Sequence, residues 1–350
     1  MTRFIQLHTL ISYPPSNLNR DDLGRPKTAL MGGAERLRVS SQSLKRAWRT
    51  SDVFAARLGS QVGSSDGSLG TRTKRLGADA YERFRAAGFN EKLAGDSAGK
   101  IAQVYGALKK DKSFEIEQLV HVSAEEKATL DALIATLIAG KREPEQAELD
   151  ALLHTQHAVD IAMFGRMLAS KTEYNGEAAV QVAHALGIHA SVLEDDYFTA
   201  VDDLNVQDAG AAHIGESPFA AAVLYQYLCI DRELLKRNLG GDEALLSAAL
   251  QALIEAALTV APTGKQNSYA SRAYAHYALV EKGSRQPRSL SLAFLKPVAG
   301  NDYASEGIQA LTTLRDNMDK VYGACADARD EFNVLTGSGS LAGLLAFAAE

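Results

Sequence analysis

Apolar and polar residues alternate at the very start of the chain. In "FIQLHTLISYPP", Ile5, Leu7, Thr9 and Ile11 fall on one side of an extended segment and Gln6 and His8 on the other, which predicts a half-buried β-strand. Turn-forming residues then take over through Pro14, Pro15, Asn17, Asn19, Gly24 and Pro26, a loop by local chemistry. "LMGGAERLRVSS" predicts a turn at Gly32-Gly33, after which Leu37 and Val39 alternate with Arg36 and Arg38. From about residue 54 to 158 the period becomes helical, interrupted by the low-complexity stretch "SQVGSSDGSLG". Within it, Ser123 followed by Glu126 forms a capping box ahead of an amphipathic helix.

The second half of the chain mixes periods. "VDIAMFGRM" is a short apolar segment, and "GEAAVQVAHALGIH" reads as a helical run. "YFTAVDDLNV" and "FAAAVLYQYLCI" flank "QDAGAAHIGESP" and predict a long hairpin, although the alanine-rich half has helical propensity as well. "EALLSAALQALIEAALTVA" is a long apolar helix that breaks near Pro262, "YAHYALVEK" and "LSLAFLK" are strand-like, and helices close the chain. No repeat of 20–50 residues is present, which argues against a solenoid. Short strands separated by uneven helical insertions predict an α+β fold.

Composition narrows the classes. The 350 residues are 46% hydrophobic and 23% charged, with a net charge of −6 and a sequence pI near 5.8. Such a chain does not coat nucleic acid with its whole surface, but a local basic groove stays compatible with it, because screening limits charge to about 8–10 Å. Cys229 and Cys325 are too few for a disulfide framework or a cysteine-rich zinc site. A cytoplasmic protein is expected: the first strand is too polar for a signal peptide, and no apolar run approaches the roughly 18 residues of a membrane span.

One stretch departs from the average. "LRVSSQSLKRAWR" places Ser40 or Ser41 at a helix N-cap, with helical positions from about Gln42. On that helix Leu44, Ala47 and Trp48 share one side and Lys45, Arg46 and Arg49 the other. Residues 20–49 hold eight Lys/Arg against three acids, a local +5 within an acidic chain. The stretch is therefore either an anion site, with serine hydroxyls, backbone N–H groups and cations converging, or a well-capped surface helix. "PTGKQNSYA" sets Lys265 and Gln266 in a turn of hydrogen-bonding residues, an ordinary loop alone and a second contact if it lies beside a phosphate site.

Other chemistry is weaker. His154 and His157, with Asp160 nearby, have a spacing that could ligate zinc, but nothing resembles HExxH and packing histidines fit better. There is no GxSxG, and "GSGSLAG" reads as a helix-start loop. Asp202 and Asp203 could pair for metal or acid–base work, which leaves a metal-dependent endoribonuclease as an alternative. Residues 194–216 carry seven acids and no Lys or Arg, so a solvated acidic strand pair accounts for them as well.

Taken in order, "FIQLHTLISYPPSNLNRDD", "GGAERLRVSSQSLKRAWR", "VDIAMFGRM", "FTAVDDL…HIGESPFAAAVLYQY" and "PTGKQNSYA" resemble the CasC family, the guide-RNA-binding RAMP-type backbone subunits of the type I-E CRISPR Cascade complex. The resemblance spans almost the whole chain, though residues 54–155 contribute little to it. It implies a modified RRM (ferredoxin-like) palm at 1–53, 156–195 and 229–350, helical fingers at 54–155 and a β-hairpin thumb at 196–228. Copies would polymerise head to tail along the spacer of a guide RNA, in contact with other Cascade subunits, and display bases for pairing with a target DNA strand in antiviral defence.

A subunit that must hold any guide should grip phosphate and sugar and leave base edges free. The resemblance then assigns RNA contacts to Lys27, Ser40, Ser41, Gln42, Lys45, Arg46 and Arg49, with Lys265 and Gln266 as the second contact. It places Arg166 and Met167 where the guide is supported beside a kink, and Phe198 and Thr199 where the thumb wedges against bases. Two departures stand out: the thumb is acidic, and Ala34 and Glu35 stand where a further basic residue would be expected. Related backbone subunits of RNA-targeting systems cleave with a loop aspartate. No counterpart is assignable here, so no enzymatic activity, metal or cofactor is expected.

Overall fold

The computed structural model describes residues 2–62, 69–111, 113–153, 158–168, 171–200 and 213–350. β1 (Phe4–Ser16) opens the chain, and β2 (Thr28–Met31) and β3 (Ala34–Val39) form a hairpin closed by Gly32 and Gly33, both at positive φ. α1 (Ser41–Arg49) and α2 (Asp52–Val62) follow. β4 (Thr71–Thr73) precedes α3 (Leu76–Ala86) and α4 (Glu91–Tyr105), and pairs with β5 (Val120–Val122) after them. α5 (Ala124–Gly140), α6 (Gln146–Asp150) and α7 (Val159–Phe164) complete the helical stretch.

β6 (Val180–Val182), β7 (Ala185–Gly187), β8 (Glu194–Ala200) and β9 (His213–Asp231) bring the chain back to sheet. α8 (Arg232–Asn238), α9 (Glu243–Thr259) and α10 (Gln266–Tyr269) lead to β10 (Ala275–Gly283), and α11 (Tyr303–Tyr322), β11 (Ala328–Asn333) and α12 (Leu341–Ala349) end it. The fold is α+β, as the mixed periods predict. Among the described residues no helix is long and apolar enough to cross a membrane.

Nine of the strands join in one sheet, in the order β11-β10-β1-β9-β7-β3-β2 with β6 and β8 also pairing β9, and β4 and β5 form a separate two-stranded sheet. β1 runs antiparallel between β9 and β10, so it lies at the centre of the sheet. The half-buried reading of β1 is corrected here: Gln6, His8 and Thr9 are buried along with Ile5, Leu7 and Leu10. A central strand covered on both faces needs partners for its polar side chains. His8 Nδ1 lies 2.8 Å from the Tyr225 hydroxyl, and Gln6 Oε1 accepts from the Tyr227 hydroxyl at 3.0 Å.

Two compact units result, Met1–Phe54 with Gln181–Asp231 and Leu250–Glu350, and Ala55–Val180 with Arg232–Ala249. The first packs Leu10, Tyr225, Tyr277, Leu279, Phe294 and Leu311 into its core. The second has its own core, in which Phe84, Ile101, Leu130 and Ile134 are buried. The sequence reading ended the helical insertion at 155; the compact helical unit continues through Val180 and takes in residues 232–249 as well.

Two further readings are corrected. "GEAAVQVAHALGIH" is not helical: it supplies β6 and β7, and β7 pairs with both β3 and β9. Alanine favours helix in isolation, but pairing with two strands overrides that preference. "LSLAFLK" holds a 3-10 turn at Ser291–Phe294 in place of a strand. The predicted hairpin forms from β8 and β9, with Glu194 opposite Phe219 and Ala200 opposite His213. Its alanine-rich half is strand. His154, His157, Asp202 and Asp203 lie outside the described residues.

Candidate nucleic-acid interface

α1 owes its position to its cap and its apolar stripe. Ser40 is the N-cap, its Oγ accepting from the Ser43 N–H at 3.4 Å, while its own N–H donates to Asn19 Oδ1 at 2.9 Å. Leu44, Ala47 and Trp48 are buried, the indole completely. No acid occupies the first turn, and Arg46 and Arg49 occupy the last. Ser41 and Lys45 are half-buried and Gln42 and Arg46 exposed. Arg49 differs from the reading that set it on the solvated face: it is only 9% exposed. A guanidinium side chain so buried belongs to the helix's support more than to its open surface.

Beside α1 lies a polar cavity of about 450 Å³. Ser43, Arg46 and Thr50, spaced three and four apart, line it from the helix, and Leu18 to Asp21 and Thr263-Gly264 wall it from two loops. Those loops touch closely: a Cβ on Gly264 would stand 2.2 Å from the Leu18 carbonyl oxygen, so only glycine fits there. Lys27 is tied in by its backbone, donating to the Asn19 carbonyl and accepting from Arg38, both at 2.8 Å.

Lys265 follows Gly264 with φ +43°, a conformation that costs a non-glycine residue on the order of 1–2 kcal/mol. Its Nζ donates to Ser217 Oγ at 2.5 Å. Gln266 is half-buried, and with its amide oriented so that the oxygen faces the surrounding donors it accepts from the N–H groups of Ser271 and Arg272 at 3.2 Å each. Gln266 therefore holds the turn together.

The hairpin residues are open. Every residue of β8 is exposed, and Phe198 is 43% exposed with its ring over Gly215, where a Cβ would come within 2.5 Å of it. Thr199 lies next to it on the other face of the strand. Arg166 and Met167 belong to the second compact unit. Met167 is 76% exposed. Arg166 is 5% exposed: its Nη1 donates to both Glu126 oxygens at 2.8 Å, and its Nε and Nη2 donate to the Tyr174 carbonyl. A guanidinium so occupied is a structural tie within this unit.

Sequence reasoning missed Asn19, Arg20, Ser43, Thr50 and Thr263 as cavity-lining residues, and Arg38 and His184 beside Lys27. The helical spacing of Ser43, Arg46 and Thr50 was a usable signal; His184 had none, because only the β3–β7 pairing brings it to Arg38. Arg38 Nη1 donates to His184 Nδ1 at 2.9 Å, which puts a neutral imidazole's proton on Nε2. Partial burial, then the charges of Arg38 and Lys27, lower the His184 pKa. Among the described residues, no group of three or more His, Cys, Asp and Glu is placed to hold a metal ion.

One solved chain, from a "CRISPR RNA-guided surveillance complex, pre-nicking", superposes with a TM-score of 0.80 at 28% identity, covering 97% of this chain and 95% of its own. A second, from a "CRISPR RNA-guided surveillance complex", gives a TM-score of 0.72 at 23% identity, covers 99% of both chains and speaks to the fold alone. No curated protein matches. The family described as CT1975-like protein matches residues 5–343, and the chain belongs to this CRISPR-associated family.

Proposed function

We propose that the chain is a non-catalytic backbone subunit of a CRISPR surveillance complex, several copies of which line the spacer of one guide RNA. The observation that carries this reading is the cavity beside α1, on a chain matched end to end by a surveillance-complex subunit. Arg46, Ser43 and Thr50 grip phosphate and sugar there, with Lys45 and Lys27 adding charge, and none of these groups reads sequence. The sheet of the first unit serves as the RRM-like palm, the helical unit as the fingers and β8–β9 as the thumb. Phe198 wedges against bases of the guide, pushing one out of the stack at intervals. The acidic β8 cannot hold RNA by charge, so wedging and contacts with a neighbouring copy must. Bases between the wedges stay open for pairing with target DNA.

The test is a size-exclusion profile of the chain co-expressed with guide RNA and its companion subunits, read at 260 and 280 nm before and after ribonuclease. A large peak rich in RNA of uniform length is the expected result. A protein-only monomer in the presence of guide RNA would overturn the reading, and cleavage of RNA abolished by Asp202→Asn would overturn its non-catalytic part.

A further inference from the structure

The β8–β9 ribbon leaves the sheet at a defined point. Pro14 and Pro15 carry no N–H for a ladder, and the β1–β9 register jumps there from Tyr13 opposite Ala222 to Ser16 opposite Ala220. Beyond Ala220, β9 pairs with β8 alone among the described residues. A ribbon of two strands is marginal in water, and here every residue of β8 is exposed, so its direction has to be fixed at the root.

The root carries a set of polar ties that the RNA grip does not account for. Ser217, 8% exposed, accepts from Lys265 Nζ at 2.5 Å, and its Oγ lies 3.1 Å from the Tyr269 hydroxyl. The next residue's carbonyl, on Pro218, accepts from Asn17 Nδ2 at 2.9 Å, and the same fully buried amide donates to Gly24 at 3.0 Å. The Tyr269 ring lies 6.1 Å from that of Phe219. Lys265 is held in its strained backbone conformation at this junction, which is where such strain persists when neighbours over-determine it. The Arg25–Asp195 pair, with Asp195 opposite Pro218 in the ribbon, is exposed on both sides and adds little.

We propose that Ser217, with Asn17 and Tyr269, positions the β8–β9 hairpin and so sets the register between the phosphate grip and the base wedge. The ties run to Asn17 and Lys265, which adjoin the two cavity walls at 18–21 and 263–264, and to Tyr269 beyond them. Phe198 is thereby held at a fixed distance along the strand from a phosphate seated at Arg46. This role rests on reading the hairpin as a thumb; that Ser217 holds the hairpin does not.

Two measurements on the full chain separate these levels. In hydrogen exchange on RNA-free protein, Ser217→Ala should speed exchange of the β8 amides about tenfold, the worth of one hydrogen bond, and leave β1 and β10 unchanged. Tyr269→Phe should act in the same direction more weakly. In the assembled complex, guide RNAs carrying 2-aminopurine at successive spacer positions should give periodic bright positions. Ser217→Ala should cut that contrast by about half or more with RNA retention within about twofold, and Ser217→Thr, which keeps the hydroxyl, should restore it. Unchanged β8 exchange in Ser217→Ala overturns the clamp. Faster exchange with an unchanged periodic pattern overturns the register role. A wild-type complex with no periodic signal overturns the thumb reading and the register role together, and the exchange result still decides the clamp.

Discussion

Of the helices that start on a serine, α5 and α1 differ in a way that separates structure from function. At α5, Ser123 Oγ accepts from the Glu126 N–H at 3.1 Å and Glu126 accepts in return from the Ser123 N–H at 3.2 Å. Glu126 is fully buried and also takes Arg166, so the positive end of α5 has its anion inside the same unit. At α1, Ser40 caps more loosely, no acid follows in the first turn, and Arg46 faces a polar cavity. A helix start that supplies its own carboxylate is finished; the start of α1 supplies none and stays open, and its Arg46 and Arg49 follow in the last turn.

The largest effect should come from breaking the finished start. Glu126→Gln leaves Arg166 buried without its carboxylate, which costs on the order of 3–5 kcal/mol. A thermal melt should show that loss in stability, and the variant should retain RNA in proportion to the folded fraction. A variant that folded normally but lost RNA would erase the contrast, because Arg166 would then be a contact and not a tie.

Next comes charge reversal at the open start. Lys45→Glu with Arg46→Glu should weaken guide RNA retention on the order of 10- to 100-fold and flatten the dependence of affinity on salt, with the melting temperature little changed. Arg49 is left out of this variant because its burial would mix an unfolding penalty with a binding one. Retention unaffected by the double reversal would make α1 a capped surface helix.

Much of this contrast was legible in the residues. Both serine caps, the Leu44-Ala47-Trp48 stripe and the Ser123–Glu126 box are local patterns, and local patterns survive folding when nothing distant competes. What stayed hidden depends on remote partners. Arg36 alternates with Leu37 and Val39 as if it faced water, yet it is fully buried and donates to the carbonyls of Gly187, Phe294 and Leu295. Only the folded sheet and the 3-10 turn put those oxygens there. The cavity beside α1 was half legible for the same reason: its helix wall follows from spacing, whereas the walls at 18–21 and 263–264 meet across more than two hundred residues.

A smaller effect compares the caps directly. Ser40→Ala and Ser123→Ala should each cost about 1 kcal/mol of stability. Only Ser40→Ala should also weaken RNA retention, by a few-fold beyond its stability loss, since Ser40 orders the N–H of Ser43, which lines the cavity. Equal effects on retention would show that the two starts differ in composition but not in use.

The smallest effect reads the electrostatics of the open start through His184. Its pKa lies below 6.5 because of partial burial and then the charges of Arg38 and Lys27. In the RNA-free chain the folded state therefore binds fewer protons than the unfolded one just below that pH, and this histidine's contribution to stability falls as pH falls. A phosphate arriving at Lys27 offsets those charges and moves the pKa back up. Binding then takes up protons, so RNA affinity should rise as pH falls from 7.5 to 5.5, by about two- to fivefold for a shift of a fraction of a pKa unit. Stability and affinity thus move in opposite directions over the same window, which a general loss of fold cannot imitate. His184→Gln should remove the rise in affinity while leaving RNA retention at pH 7.5 within about twofold. An affinity that stays flat in the wild-type chain would mean that no anion reaches Lys27 and Arg38, and would confine the open start to α1 and its cavity.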